Sequence, residues 1–175
     1  MRAAFRRSRR MLVQGFVVAP LLSLGGCGFQ LRGTADLPFE SLWIDIPDSN
    51  PLGAELKRTL RTGTRTRVTS RREDAEAVML PTREARGRTI LSLSSSGRVR
   101  EFRLSYAFEF RIADARGRDL VEPIRLQLER DFPFNDSQVL AKETEEALLY
   151  REMQSDMVQQ VLRRLSTAQR LPAKG

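Results

Sequence analysis

Histidine is absent from the 175 residues, and cysteine occurs once, at Cys27. The first absence removes histidine triads, histidine metal ligands and histidine proton shuttles. The second removes disulfides and leaves one thiol, whose position gives it another use. No P-loop, no Rossmann glycine pattern and no metal-spaced carboxylate cluster is present, so the chain is expected to be no enzyme and to carry no metal or cofactor. Lysine appears only at Lys57, Lys142 and Lys174, and nearly all the cations are arginine. No apolar run reaches the roughly 20 residues that a membrane-spanning helix needs.

The start of the chain is the most informative segment. Residues 1–10 hold five arginines and no acid, residues 11–24 are largely apolar, and Gly25 and Gly26 lead directly to Cys27. A basic head, a short apolar core and small residues form the layout of a secretory signal. Leu24-Gly25-Gly26-Cys27 resembles the lipobox of bacterial lipoproteins, which implies cleavage before Cys27, acylation of its thiol and attachment by three acyl chains. Each buried acyl CH₂ contributes about 0.8 kcal/mol, and two or more chains hold firmly. Gly28 follows instead of the aspartate that retains such proteins in the inner membrane of enterobacteria. The expected location is therefore the periplasmic face of the outer membrane.

Removing the leader also changes the charge. The whole chain carries +8, and five of its 30 basic residues are in the leader, which leaves +3. The high isoelectric point belongs partly to the discarded segment, so it does not argue for a nucleic-acid partner.

The boundaries read from sequence are a cleaved signal at 1–26, a lipidated tether at 27–38, one domain at 39–166 and a flexible tail at 167–175. In the domain, Leu42, Ile44 and Ile46 alternate as in a strand. Asn50 is placed to cap a helix with Pro51 in its first turn. Leu52, Leu56 and Leu60 form that helix's apolar face, and Gly63 is placed as a left-handed stop. Residues 65–70 form a weak edge strand. Residues 77–80 are a short apolar run stopped by Pro81, and 89–94 a further strand. Ser94-Ser95-Ser96-Gly97 marks a hairpin tip. Phe102, Leu104, Tyr106, Phe108, Phe110 and Ile112 alternate with polar residues, the pattern of an antiparallel strand buried on one face. Ile124, Leu126 and Leu128 repeat it after Pro123. From Asp136 or Ser137 to Leu165 the period becomes helical, with Tyr150, Met153, Met157 and Val161 in one stripe. The fold class is α+β: a two-layer sandwich of a mostly antiparallel, four-stranded sheet, covered on one face by one short helix and one long C-terminal helix.

Two stretches resemble the LptE family of lipopolysaccharide-assembly lipoproteins. One is Cys27-Gly28-Phe29-Gln30-Leu31-Arg32-Gly33. The other is the run from Arg130 to Leu165, notably Leu140-Ala141-Lys142, Glu152-Met153 and Arg163-Arg164-Leu165. The resemblance implies a non-catalytic partner of the β-barrel LptD in a one-to-one complex. That partner supports assembly of the barrel, plugs its lumen and binds lipopolysaccharide on its way to the outer leaflet. It also implies that Lys142 contacts lipopolysaccharide phosphate. The family's basic residue before the hairpin glycine is replaced here by serine, and Arg98, Arg100 or Arg103 is positioned to supply that charge. Read from the residues alone, each of these is equally an ordinary solvated side chain. A scaffold or pilot lipoprotein of another envelope complex would use the same anchor and domain.

Overall fold

A computed structural model describes residues 36–172. The leader, Cys27 and nearly all of the tether lie outside these residues. The described chain runs β1 (Ser41–Ile44), α1 (Pro51–Gly63), β2 (Arg67–Val68), β3 (Ala77–Leu93), β4 (Val99–Ala113), β5 (Ile124–Pro133) and α2 (Val139–Ser166). The strands form one sheet in the order β2-β1-β3-β4-β5. β1 pairs in parallel with both β2 and β3, and the β3-β4-β5 meander is antiparallel.

The sheet therefore has five strands where four were expected, and the first strand lies inside it rather than at an edge. Short strands carry no sequence signal for their neighbours. Here α1 supplies the crossover that two adjacent parallel strands require. β3 corrects the sequence reading too. It is one strand of 17 residues, not two pieces broken at Pro81. The register shifts between Pro81 and Arg83, and β1 stops pairing at Met79. Pro81 thus meets a bulge on a locally free edge, where a missing N–H is tolerated.

Leu104, Tyr106, Phe108, Phe110 and Ile112 of β4 are buried in one core with Leu52, Leu56 and Leu60 of α1 and Met153, Met157, Val161 and Leu165 of α2. The opposite sheet face is polar, and its charges pair across strands. Glu109 lies between Arg83 (3.6 Å) and Arg125 (3.5 Å), and Arg111 meets Asp119 at 2.8 Å.

Asn50 caps α1 as expected, its Oδ1 accepting from the Gly53 N–H at 3.1 Å. The other end differs. Gly63 remains helical, and Thr64 closes the helix in an extended conformation, donating its N–H and its hydroxyl to the Leu60 carbonyl. Among the described residues the glycines with positive φ are Gly97 (78°) and Gly117 (81°), both in turns between strands.

Gly53 is constrained by space instead. A Cβ there would lie 2.3 Å from Ile46 Cγ2 and 2.8 Å from Ile46 Cβ. Helix propensity alone favours alanine by about 0.5–1 kcal/mol, whereas overpacking of this kind costs about 1–3 kcal/mol. Gly53→Ala is accordingly expected to lower the urea unfolding midpoint. A raised midpoint would mean that Ile46 yields without cost.

α2 begins at Val139, after a 3₁₀ turn at Asp136–Gln138 that is capped by Asn135. Its buried residues all lie between Met153 and Leu165. Its first turns leave Leu140 81% exposed and Leu148 48% exposed, so the helix overhangs the core it covers. The segment after Thr167, expected to be free, is tied down as far as it is described. The Leu171 N–H donates to the Leu120 carbonyl at 2.8 Å, and Arg170 pairs with Glu76.

Candidate functional site

The β3–β4 hairpin extends beyond β1, and its distal half is where the polar residues expected to bind ligand come together with exposed apolar ones. The turn is fixed locally. Gly97 N–H and Ser94 N–H bond to the Ser94 and Arg98 carbonyls respectively, and Ser94 Oγ accepts from the Arg98 N–H at 3.1 Å. The Ser94 hydroxyl also lies 2.9 Å from that of Ser96. These serines build the turn. On the strands leading to it, Ile90 is 57% and Leu93 54% exposed, with Leu91 exposed between them. Arg98 and Arg100 are exposed nearby, and neither has an ion-pair partner among the described residues.

Lys142 reaches the same end from the helix layer. Its ammonium lies 5.3 Å from the centre of the Phe132 ring and 2.8 Å from Glu145 Oε2. Phe132 is the β5 partner of Phe102, which in turn pairs with Ile90. Lys142 therefore stands over one end of a row that runs across three strands to the exposed Ile90. Phe134 continues this edge, packing against Phe102 at 5.1 Å and bonding to the Arg100 carbonyl.

Arg103 does not join them. It projects from the opposite sheet face, where Asp131 binds it at 2.8 and 3.1 Å and Glu129 lies at 3.7 Å. The Arg103 hydrogen bonds hold the Asp131 carboxyl below the usual carboxylate range. Of the four cations singled out in sequence, three gather at the tip and one braces the sheet behind it.

Two further arginines went unnoticed in the sequence. Arg88 stacks on Phe102 with its guanidinium carbon 4.5 Å from the ring centre and bonds to Glu146 at 2.7 Å. Arg86 lies between the Tyr106 ring (4.7 Å) and the Tyr150 ring (5.5 Å) and donates to Gln154 at 3.0 Å. Their period-two spacing with Ile90 was the available signal, and the intervening Gly87 concealed it. Tyr106 and Tyr150 donate to Glu84 and to the Gly87 carbonyl, each at 2.7 Å. Burial, reinforced by Glu84 at Tyr106 and Glu146 at Tyr150, raises both phenols above their ordinary pKa, which keeps them protonated as donors.

A larger cleft of about 790 Å³ lies at the other end of β3, beside Phe39 and Glu40. Its two arginines are already committed, Arg65 to Asp36 and Arg170 to Glu76. Among the described residues no group of three or more acidic, histidine or cysteine side chains is arranged to hold a metal ion, and no helix is long and apolar enough to cross a membrane. The distal tip is thus the surface where two arginines without ion-pair partners among the described residues, Arg98 and Arg100, coincide with exposed apolar side chains, with the Glu145-paired Lys142 behind them, an arrangement suited to an amphiphilic anion.

The family model and the curated relatives point to one family. The model of the lipopolysaccharide-assembly family LptE matches residues 39–165. The LPS-assembly lipoprotein LptE of Photorhabdus laumondii is 29% identical over 84% of this chain and 81% of its own length. That of Yersinia pestis (strain Pestoides F) is 33% identical over 84% and 72%. Among solved structures, the solution structure of an uncharacterized lipoprotein B from Nitrosomonas europaea superposes with a TM-score of 0.68 at 44% identity, covering 79% of this chain and 90% of its own. A minor lipoprotein from Acinetobacter baumannii, 23% identical, shares the fold with a TM-score of 0.64 over 77% of this chain and 98% of its own.

Proposed function

The chain belongs to the LptE family of lipopolysaccharide-assembly lipoproteins, and from that premise we propose that it is held in the outer membrane by lipid on Cys27, seats inside an LptD-type β-barrel as its plug, and binds lipopolysaccharide at the tip of the β3–β4 hairpin. The observation that carries the binding reading is the coincidence of Arg98, Arg100 and Lys142 with the exposed Ile90, Leu91, Leu93 and Leu140. Lipopolysaccharide presents phosphates beside acyl chains. Guanidinium and ammonium groups bind phosphate by charge-assisted hydrogen bonds, and the leucines and isoleucine receive the acyl portion. Arg103 takes a supporting part, fixing the hairpin to β5 through Asp131. The overhanging first turns of α2 and the self-paired polar sheet face suit a domain enclosed by a polar barrel lumen. No bond of the ligand is made or broken in this role.

The test uses the full-length chain purified in detergent. Lys142→Asp combined with Arg100→Asp is expected to weaken lipopolysaccharide binding roughly 10- to 100-fold, as loss of charge-assisted contacts implies, with the melting temperature held. Unchanged binding removes these residues from the site. In native membranes the protein is expected to co-purify one-to-one with an LptD-type barrel, and recovery as a free monomer would overturn the plug.

A further inference from the structure

The cleft between β3 and the first half of α2 offers hydrogen-bond donors that the tip does not use. Arg86 and Arg88 are two residues apart on one strand, so their side chains leave the same face about 7 Å apart. Each guanidinium lies on an aromatic ring. Stacking of this kind occupies the face of the group and leaves its N–H edge free. Arginine has five donors. Among the described residues, side-chain hydrogen bonds engage one group on Arg88, to Glu146, and one on Arg86, to Gln154. Both arginines line a cleft of about 430 Å³ together with Glu143, Glu146, Ala147 and Tyr150. Ile90 continues the same row, 57% exposed. The order along the strand is cation, cation, apolar, which matches a phosphorylated headgroup running into its acyl region.

The acids in the cleft define the resting state. Glu146 Oε2 lies 2.7 Å from Arg88 Nη1, with Arg88 46% exposed. That is the place and distance at which a phosphate oxygen would sit. We propose that Arg86 and Arg88 form a second phosphate seat for a phosphomonoester of lipid A, separate from Lys142, Arg98 and Arg100, and that Glu146 occupies it until the headgroup arrives. This rests on the lipopolysaccharide reading above. The seat pre-orders Arg88 on Phe102 and exchanges one carboxylate partner for a dianionic one.

The experiment measures binding of lipid A with two phosphates, of monophosphoryl lipid A and of inorganic phosphate to the full-length chain in detergent. Arg88→Gln is expected to weaken the doubly phosphorylated lipid roughly tenfold, the scale of one charge-assisted contact, and to leave the singly phosphorylated one unchanged. Glu146→Gln, which keeps both arginines, is expected to tighten the doubly phosphorylated lipid several-fold. It also keeps the proposal falsifiable should Arg88→Gln lower the melting temperature. An equal loss for both lipids, no tightening by Glu146→Gln, or competition by inorganic phosphate at the concentrations at which lipid A binds would each overturn the seat. If Lys142→Asp with Arg100→Asp weakens binding while Arg88→Gln and Glu146→Gln do nothing, the seat fails and the tip stands. If the unmodified chain binds neither lipid, the lipopolysaccharide reading falls and takes the seat with it.

Discussion

Phe108→Ala is expected to destabilise the domain by about 3–5 kcal/mol, lowering its melting temperature by roughly 10–20 °C. Phe108 sits midway along β4, opposite Glu84 on β3 and Leu126 on β5. It has no exposed surface, and its ring stacks on Phe110 with centroids 5.2 Å apart. Truncation removes the transfer energy of the ring and that aromatic pairing. It also leaves a hole between a sheet and two helices that cannot close without moving all three. Phe102, on the same face but half-buried toward the hairpin tip, is expected to cost clearly less. Denaturant titration decides the matter. A loss below about 1 kcal/mol at unchanged slope would place Phe108 outside a close-packed core.

The second large effect concerns location rather than stability. Cys27→Ser is expected to move the protein from the membrane pellet to the soluble fraction and to abolish palmitate incorporation. The melting temperature of the folded domain should stay the same. At about 0.8 kcal/mol per buried CH₂, multiple acyl chains supply far more membrane affinity than the near-neutral remainder of the chain. Retention of Cys27→Ser in the pellet after a high-salt wash would show that another part of the protein holds the membrane.

Sequence and structure agree where a pattern repeats often enough to leave one solution. β4 alternates from Phe102 to Ile112, and its inward set from Leu104 onward is the set found buried. The capped α1 with Leu52, Leu56 and Leu60 is equally well marked, as is the stripe from Met153 to Leu165. Pairing was illegible. A four-residue β1 can lie at an edge or at the centre without changing a letter, because its neighbours are chosen by the crossover and by the core. The length of β3 was hidden for a related reason. Beyond Leu80 its outward side meets solvent and its inward side is covered by arginines stacked on aromatics, so the strand lacks the apolar alternation that would announce it. Family likeness pointed to Lys142 and to Arg98, Arg100 or Arg103, but which of these arginines lie toward the hairpin tip needed the structure. The alternation of β4 already put Arg103 on the outward face, whereas its pairing with Asp131 there depends on the β4–β5 register, which the sequence does not carry. Arg86 and Arg88 needed the register with Phe102 and Tyr106 before their role emerged.

The parallel placement of β1 constrains how the molecule comes into being. β1 is synthesised first, yet it can form no ladder until β2 and then β3 have been made, and the core holding its Leu42 is completed by Leu165 near the end of α2. Contacts so distant in sequence form late and slowly. The N-terminal portion of the domain therefore reaches its final pairing and packing only once nearly the entire polypeptide is available.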